Sequence, residues 1–472
     1  MPLLELPNDI LISILQELEL PGLSDLSRTC KALEALVNNF GWADYRRRHP
    51  RPSHSLACAQ ALWTSKFHVR YDTLADRSWK RSRCRTDFVA RPLARPWKGK
   101  LQPVLAINNS RLVVACGTTI YCYIFIALAS DEVSSVEFER AVVLNSCSGQ
   151  RRDITAVTFI DGLKETLLVG FQNGEIEEVV FEDDTVKFFS RDLSNLHVGG
   201  VVEHLSYDNN MLLSLSSDGL AALTNLSVSP CTSSGVELQK RSWVSHLCMQ
   251  SSTPYAAYGT SSVTPLAIHS ITNGGLTQTP TVVLGMKGYT STTTPSSAVY
   301  GICRAPLAAP WGSSPEIIVS GWYDGQVRCY DLRSALRGPS VSGSHSPLLP
   351  VLYLSDPLQY EPIYSVSCGG GSSSHVAAGS ARHSVVSFWD IRSPAKGWSV
   401  HAPGNDSSPV YNIILESSRL FGATQSRPFV FDFGPGVSSR TYPHIPRPER
   451  DNLKKGRNFG YYVTQYIHRP SA

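Results

Sequence analysis

Three stretches of this 472-residue chain repeat one another in a way that dictates its architecture. Val299-Tyr300-Gly301-Ile302, Ile363-Tyr364-Ser365-Val366 and Val410-Tyr411-Asn412-Ile413 each open a unit of one apolar strand, a tight turn and a second strand. The first unit turns at Tyr323-Asp324-Gly325 and ends on Tyr330-Asp331, and Asp-Gly between alternating strands is a strong hairpin signal. The second ends on Trp389-Asp390 and the third on Phe431-Asp432, so an aromatic-Asp pair recurs in register. Weaker copies start near Val104, Ile154, Val202 and Val244, two of them with turns at Asn173-Gly174 and Asp218-Gly219. The count is seven units.

Turns recur every ~40 to 60 residues, the period of four-stranded blades with loop insertions. A single blade cannot cover both its faces, so the units must pack radially into a closed ring. The chain therefore predicts a mainly β fold, a seven-bladed propeller. Sparse charge with abundant Gly, Pro, Ser and Thr agrees with many short strands.

The first 42 residues have a different period. Leu6-Pro7-Asn8-Asp9 suits the first turn of a helix, because proline presets φ and the carboxylate complements the dipole. Ile10, Leu11, Ile14, Leu15 and Leu18 follow as an apolar stripe on one helix face. Leu20-Pro21-Gly22 predicts a stop, after which Leu23, Leu26, Cys30 and Leu33 recur at helical spacing and Trp42 closes a three-helix module. A domain this small encloses too little surface to bury so many leucines, so the excess predicts a partner. An ordinary helical hairpin packed on the next domain is the plainer alternative.

The Leu-Pro opening, the Ile-Leu pairs, Cys30-Lys31 and Trp42 resemble the F-box. The aromatic-Asp endings and Asp-Gly turns resemble WD repeats, clearly in the last three blades and only by spacing in the first four. The order of parts resembles the F-box/WD-repeat receptors of ubiquitin ligases, over most of residues 3–433. Within that family the dactylin type is suggested by Trp79-Lys80 with Arg83-Cys84-Arg85, Trp97, Gly321-Trp322-Tyr323-Asp324 and Ser408-Pro409-Val410-Tyr411. The early blades depart from the pattern by lacking the aromatic-Asp pair, and a tail from about Ser438 is additional. Segments of 1–45 (F-box), 46–98 (basic, partly helical connector), 99–438 (propeller) and 439–472 (tail) follow.

The resemblance implies a substrate-recognition subunit of an SCF-type cullin-RING ubiquitin ligase, itself non-catalytic. Leu6, Pro7, Ile10, Leu11, Ile14, Leu15 and Leu18 would face a Skp-type adaptor and, through it, cullin and RING subunits. The top of the propeller would hold the protein to be ubiquitinated. A WD-repeat scaffold whose F-box does not direct client degradation is the alternative.

If each unit's first strand descends beside the axis, one residue per blade lies at the top mouth: Leu105, Thr155, Glu203, Ser245, Tyr300, Tyr364 and Tyr411. Turns on the same side add Trp322, Tyr323, Arg382, His383 and Arg427, with Arg151 and Arg152 as further basic candidates. Tyrosines offer contact area with few rotors to freeze, and guanidinium groups take oxyanions in pairs, so an acidic or phosphorylated client segment is expected. The alternative is that the tyrosines plug the channel and the arginines are solvated turns.

Net charge is only +4, yet Arg46 to Lys100 carries fifteen Lys/Arg against three Asp/Glu. That invites nucleic acid. Leu62, Trp63, Phe67, Tyr71 and Leu74 fall at near-helical spacing, however, so a helical linker with a solvated basic face is expected instead. In the tail, Tyr461 to Ile467 reads as an added edge strand or as disorder.

Eleven cysteines lack Cys-x-x-Cys spacing, so no zinc site, disulfide framework or cofactor is expected. Gly369-Gly370-Gly371-Ser372 lacks the Lys-Ser/Thr of a phosphate loop and reads as a turn. His204 and His246 read as core or rim histidines. No apolar run reaches membrane-spanning length and no signal-peptide layout opens the chain, which predicts cytosol or nucleus.

Overall fold

The structure, a computed structural model, describes residues 5–83, 87–127, 129, 132–144, 152–160, 165–182, 185–189, 193, 196–197, 199–228, 231–286, 296–337, 347–404, 407–446 and 460–468. The chain opens with helices α1 (Asn8–Glu17), α2 (Leu20–Leu26) and α3 (Lys31–Leu36). A π-helical turn, Val37–Gly41, leads into α4 (Trp42–Arg48). Pro7 sits at the N-cap of α1 with Asp9 in its first turn. Pro21 does not stop a helix; it lies in the first turn of α2, where a missing N–H costs nothing.

The core of this module is Leu15, Leu23, Val37 and Trp42, and Val69 of α6 (Ser65–Ser82) belongs to the same cluster. Arg48 also donates to the Leu18 carbonyl at 3.1 Å. The head is thus packed onto the connector. The linker stripe of Leu62, Trp63, Phe67, Tyr71 and Leu74 is broken at Trp63-Thr64 into α5 (Ala57–Leu62) and α6, and the Thr64 hydroxyl caps α6 by accepting from Phe67 N–H.

Seven antiparallel blades follow, with innermost strands Val104–Ile107, Ile154–Phe159, Val202–Asp208, Ser242–Cys248, Ser297–Arg304, Ile363–Gly369 and Val410–Leu415; the fourth and fifth are joined where Ser261 and Ser262 pair with Ala298 and Ser297. Each innermost strand touches the next, and the first touches the last, so the ring is closed. Close blade packing explains two glycines. A Cβ on Gly321 would meet Ile363 Cγ2 at 2.5 Å, and one on Gly379 would meet Val410 Cγ1 at 2.7 Å.

Blade 7 has only three strands from its own repeat. Val89–Pro92 supplies the fourth, pairing antiparallel with Pro428–Asp432 in the register Val89↔Asp432 to Pro92↔Phe429. A boundary at 98/99 therefore does not separate connector from ring, because the strand that closes the circle precedes it. In the tail, Gln465–Ile467 adds a fifth strand to blade 6 by pairing with Trp398–Val400.

The connector is fastened to the turn joining the first and second strands of blade 7 and to the connection between the third and fourth strands of blade 1, at the end of the ring opposite the mouth. The Glu416 carboxylate accepts from Ser53 Oγ at 3.1 Å, His54 N–H at 2.5 Å, and the Ser55 N–H and hydroxyl. Trp79 donates to the Ser417 carbonyl at 3.0 Å, Tyr71 bonds Ser418 at 2.8 Å, and Trp63 donates to the Glu132 carbonyl at 2.8 Å.

Candidate functional site

Six innermost strands carry a β-bulge at the same place, at Thr155, Glu203, Trp243, Tyr300, Tyr364 and Tyr411. A bulge leaves one residue out of the ladder and re-aims its side chain. In four consecutive blades that side chain is aromatic, and the rings touch in series. Trp243 meets Tyr300 edge-on at 5.1 Å, Tyr300 meets Tyr364 edge-on at 5.3 Å, and Tyr364 stacks on Tyr411 at 5.7 Å. Burial raises the pKa of Tyr300 and of Tyr411 above the ordinary phenol value, so both stay neutral donors.

Two expected mouth residues are displaced. Ser245 is buried and bonds His204 Nδ1 at 3.2 Å; the blade 4 strand begins at Ser242, which gives the bulge to Trp243. Leu105 is buried between blades 1 and 7, and Gln102 bonds Tyr411 instead. Sequence reasoning missed Trp243, although a tryptophan beside an apolar strand start was the available signal.

The far side of the mouth is polar. Arg241 pairs with Glu203 at 3.0 Å and lies over the Trp243 ring at 4.0 Å. Burial pushes the Glu203 carboxyl upward against the pull of that guanidinium. Thr155 donates to the Val202 carbonyl at 2.5 Å, which ties blade 2 to blade 3.

The turn residues divide. Trp322 is fully buried, donates to Ser320 Oγ at 2.8 Å and has the Arg328 guanidinium on its ring at 4.4 Å, so it is a core residue and not a contact surface. Strand alternation turns its neighbour Tyr323 outward, 56 % exposed. His383 is exposed and bound to Glu361. Arg382 is exposed, and Arg427 Nε is enclosed without a hydrogen-bond partner among the described residues. Arg152 is committed to Glu175 and Glu177, while Arg151 lies outside the described residues.

The helical stripe of the head also divides. Leu11 and Leu15 are 7 % and 1 % exposed, covered within the chain itself, with Leu15 in the module's core. Leu6 and Leu18 are half-buried, while Pro7, Ile10 and Ile14 face outward. A stripe wide enough to read as one face is split because α2, α3 and the π-turn cover only part of it. Phe40, within the π-turn, is exposed as well and was not anticipated, since a π-turn shifts later residues off α-helical spacing.

His204 and His246 sit half-buried side by side, each pushed down to about 4, first by desolvation. Among the described residues no group of three or more His, Cys, Asp and Glu is placed to hold a metal, and no helix is long and apolar enough to cross a membrane. Gly370 and Gly371 form the floor turn beneath Trp79.

Residues 3–42 match the F-box domain. F-box domains bind Skp-type adaptors. No curated protein matches the chain. Among solved structures, it is similar to Chaetomium thermophilum Sqt1, solved bound to the N-terminus of the ribosomal protein L10. That likeness has 12 % identity and a TM-score of 0.47, and covers 69 % of this chain and 81 % of the other. At that distance it says nothing about what this chain binds.

Proposed function

We propose that this chain is the substrate-recognition subunit of an SCF-type cullin-RING ubiquitin ligase, with the F-box on a Skp-type adaptor and the mouth on the client. One observation carries the reading. The F-box and connector are bolted to the floor of the ring through Trp79 and Glu416, while the aromatic arc from Trp243 to Tyr411 lies at the opposite end. A client held there is presented by a continuous solid body, and transfer proceeds by proximity to the conjugating enzyme, not by chemistry in this chain. Pro7, Ile10 and Ile14 are the adaptor contacts, backed from inside by Leu11 and Leu15. Arg382 and Arg427, which form no ion pair among the described residues, favour a client segment bearing acidic or phosphorylated residues. Trp79-Lys80, Gly321-Trp322-Tyr323-Asp324 and Ser408-Pro409-Val410-Tyr411 support a reading as the dactylin type, F-box/WD-repeat protein four.

Affinity capture with two separate variants tests this. Ile10→Glu with Ile14→Glu is expected to lose adaptor, cullin and RING subunits and to keep clients. Trp243→Ala with Tyr364→Ala is expected to do the reverse. Unchanged client capture by the mouth variant would sink the assignment of the mouth, and recovery of adaptor without cullin and RING would favour a non-degradative scaffold.

A further inference from the structure

The basic connector has an outcome that a solvated helix face does not describe. Between α6 and the floor turns of blade 6 lies a cleft of about 320 Å3, walled by Trp79 and Trp398. Its two carboxylates are already committed. Asp76 accepts two hydrogen bonds from Arg51, at 2.6 and 2.8 Å, and Asp390 accepts from Arg392 at 2.9 and 2.7 Å. Those two arginines are thereby neutralised. Lys80, Arg83 and Lys396 also line the cleft and pair with no carboxylate among the described residues.

Arg83 adds an independent sign of a missing ligand. Its Nε is closed off from solvent and has no hydrogen-bond partner among the described residues, a costly state for a guanidinium nitrogen. A second hollow of about 190 Å3 continues along α6 and shares Arg51, Asp76 and Lys80, adding Arg46 and Arg77. Its own further carboxylate, Asp72, is pushed up to about 7 by burial despite Arg51, which leaves it partly neutral near physiological pH.

We infer that this cleft binds a small polyphosphate, a ligand carrying two or more linked phosphate groups. Three uncompensated cations set at separate points suit several oxyanions on one molecule, and a guanidinium matches phosphate geometry in pairs. The volume is that of a small-molecule site, too enclosed for a duplex. With α6 on one wall and blade 6 on the other, the ligand would cross-brace the connector and the ring. The inference is independent of what the mouth recruits.

Inorganic tripolyphosphate titrated calorimetrically into the full chain at fixed ionic strength is the test, with pyrophosphate and ATP as parallel arms. Saturable single-site binding and a raised Tm are expected. Lys80→Glu with Lys396→Glu should weaken affinity by roughly tenfold or more, and the milder Lys80→Gln with Lys396→Gln should act in the same direction should the first pair disturb folding. Lys66→Glu, an exposed change on the same helix outside the cleft, should leave binding intact. Tighter binding of ATP assigns the phosphates to a nucleotide, and equal binding assigns them to an inorganic or other non-nucleotide source. Absence of binding, an equal loss with Lys66→Glu, or binding of duplex oligonucleotide without tripolyphosphate would overturn the inference.

Discussion

Trp79, near the end of the connector helix, lies flat on Phe433 at the end of the last blade, ring centroids 3.7 Å apart and planes 16° apart. The same indole packs against His375 and Phe388 of blade 6 and donates to the Ser417 carbonyl. One side chain therefore joins the helix to two blades. Trp79→Ala should cost about 3–5 kcal/mol, read as a lower urea midpoint. Trp79→Phe should recover most of that loss, and adaptor capture should persist in both.

Glu416 fastens the segment before α5 in the same way. Its carboxylate faces backbone N–H groups and hydroxyls of Ser53, His54 and Ser55. Glu416→Gln replaces one acceptor oxygen by a donor and should cost about 1.5–3 kcal/mol. Faster protease cleavage in residues 49–56 is the accompanying readout, and an unchanged cleavage pattern would count against the anchor.

Acid should weaken the wall between blades 3 and 4. Burial lowers the pKa of His204 and His246 from 6.5 to about 4 in the folded chain. A depressed folded value means that the folded state binds the proton less well than the unfolded one. The stability contributed by the neutral rings is thus full above pH 6.5 and declines as pH falls toward 4. A Tm falling by several degrees from pH 7 to pH 5 is expected, and a smaller fall in His204→Gln with His246→Gln.

The tail should be structural. Buried Asp356 accepts from Tyr466 OH at 2.7 Å and Ser399 Oγ at 2.7 Å and pairs with His468 at 3.2 Å. Burial alone would raise its pKa, yet His468 and the two hydroxyls hold it down at about 2. Removing residues 460–472 strips away Tyr466 and His468 and leaves Ser399, Ser387 and the Leu358 N–H, so a loss of roughly 2–4 kcal/mol is expected. Asp356→Asn in the truncated chain should restore part of it.

Charge should matter at the mouth only if the client is anionic. Arg382→Glu with Arg427→Glu should reduce client capture by tenfold or more in roughly physiological salt. Phosphatase treatment of the lysate should reproduce that loss in the unmodified chain. Full capture after both treatments would remove the oxyanion reading and leave the aromatic arc alone.

The three strong repeats were legible because their quartets and aromatic-Asp endings coincide, with an Asp-Gly turn in the first of them, and they place Tyr300, Tyr364 and Tyr411 at the mouth. Blade 4 was misplaced by two residues. A bulge changes the pairing without changing composition, so the tryptophan in Ser242-Trp243-Val244 is a signal of a rim residue but does not by itself mark which residue leaves the ladder. Trp322 beside Tyr323 failed for the same reason: at a strand end, alternation fixes which ring is buried only once the partner blade is known.

Local period alone determined a helical head, seven repeated units and therefore a ring, because a blade without neighbours leaves apolar faces in water. Tertiary structure alone decided that Val89–Pro92 closes the circle, that Gln465–Ile467 extends blade 6, and that Leu11 and Leu15 turn inward while Ile10 and Ile14 stay outside. These outcomes depend on pairings between residues far apart in the chain, from tens of positions in the head to more than three hundred at the closing strand. Sequence spacing records which residues are apolar; only the packed neighbours determine which of them are covered.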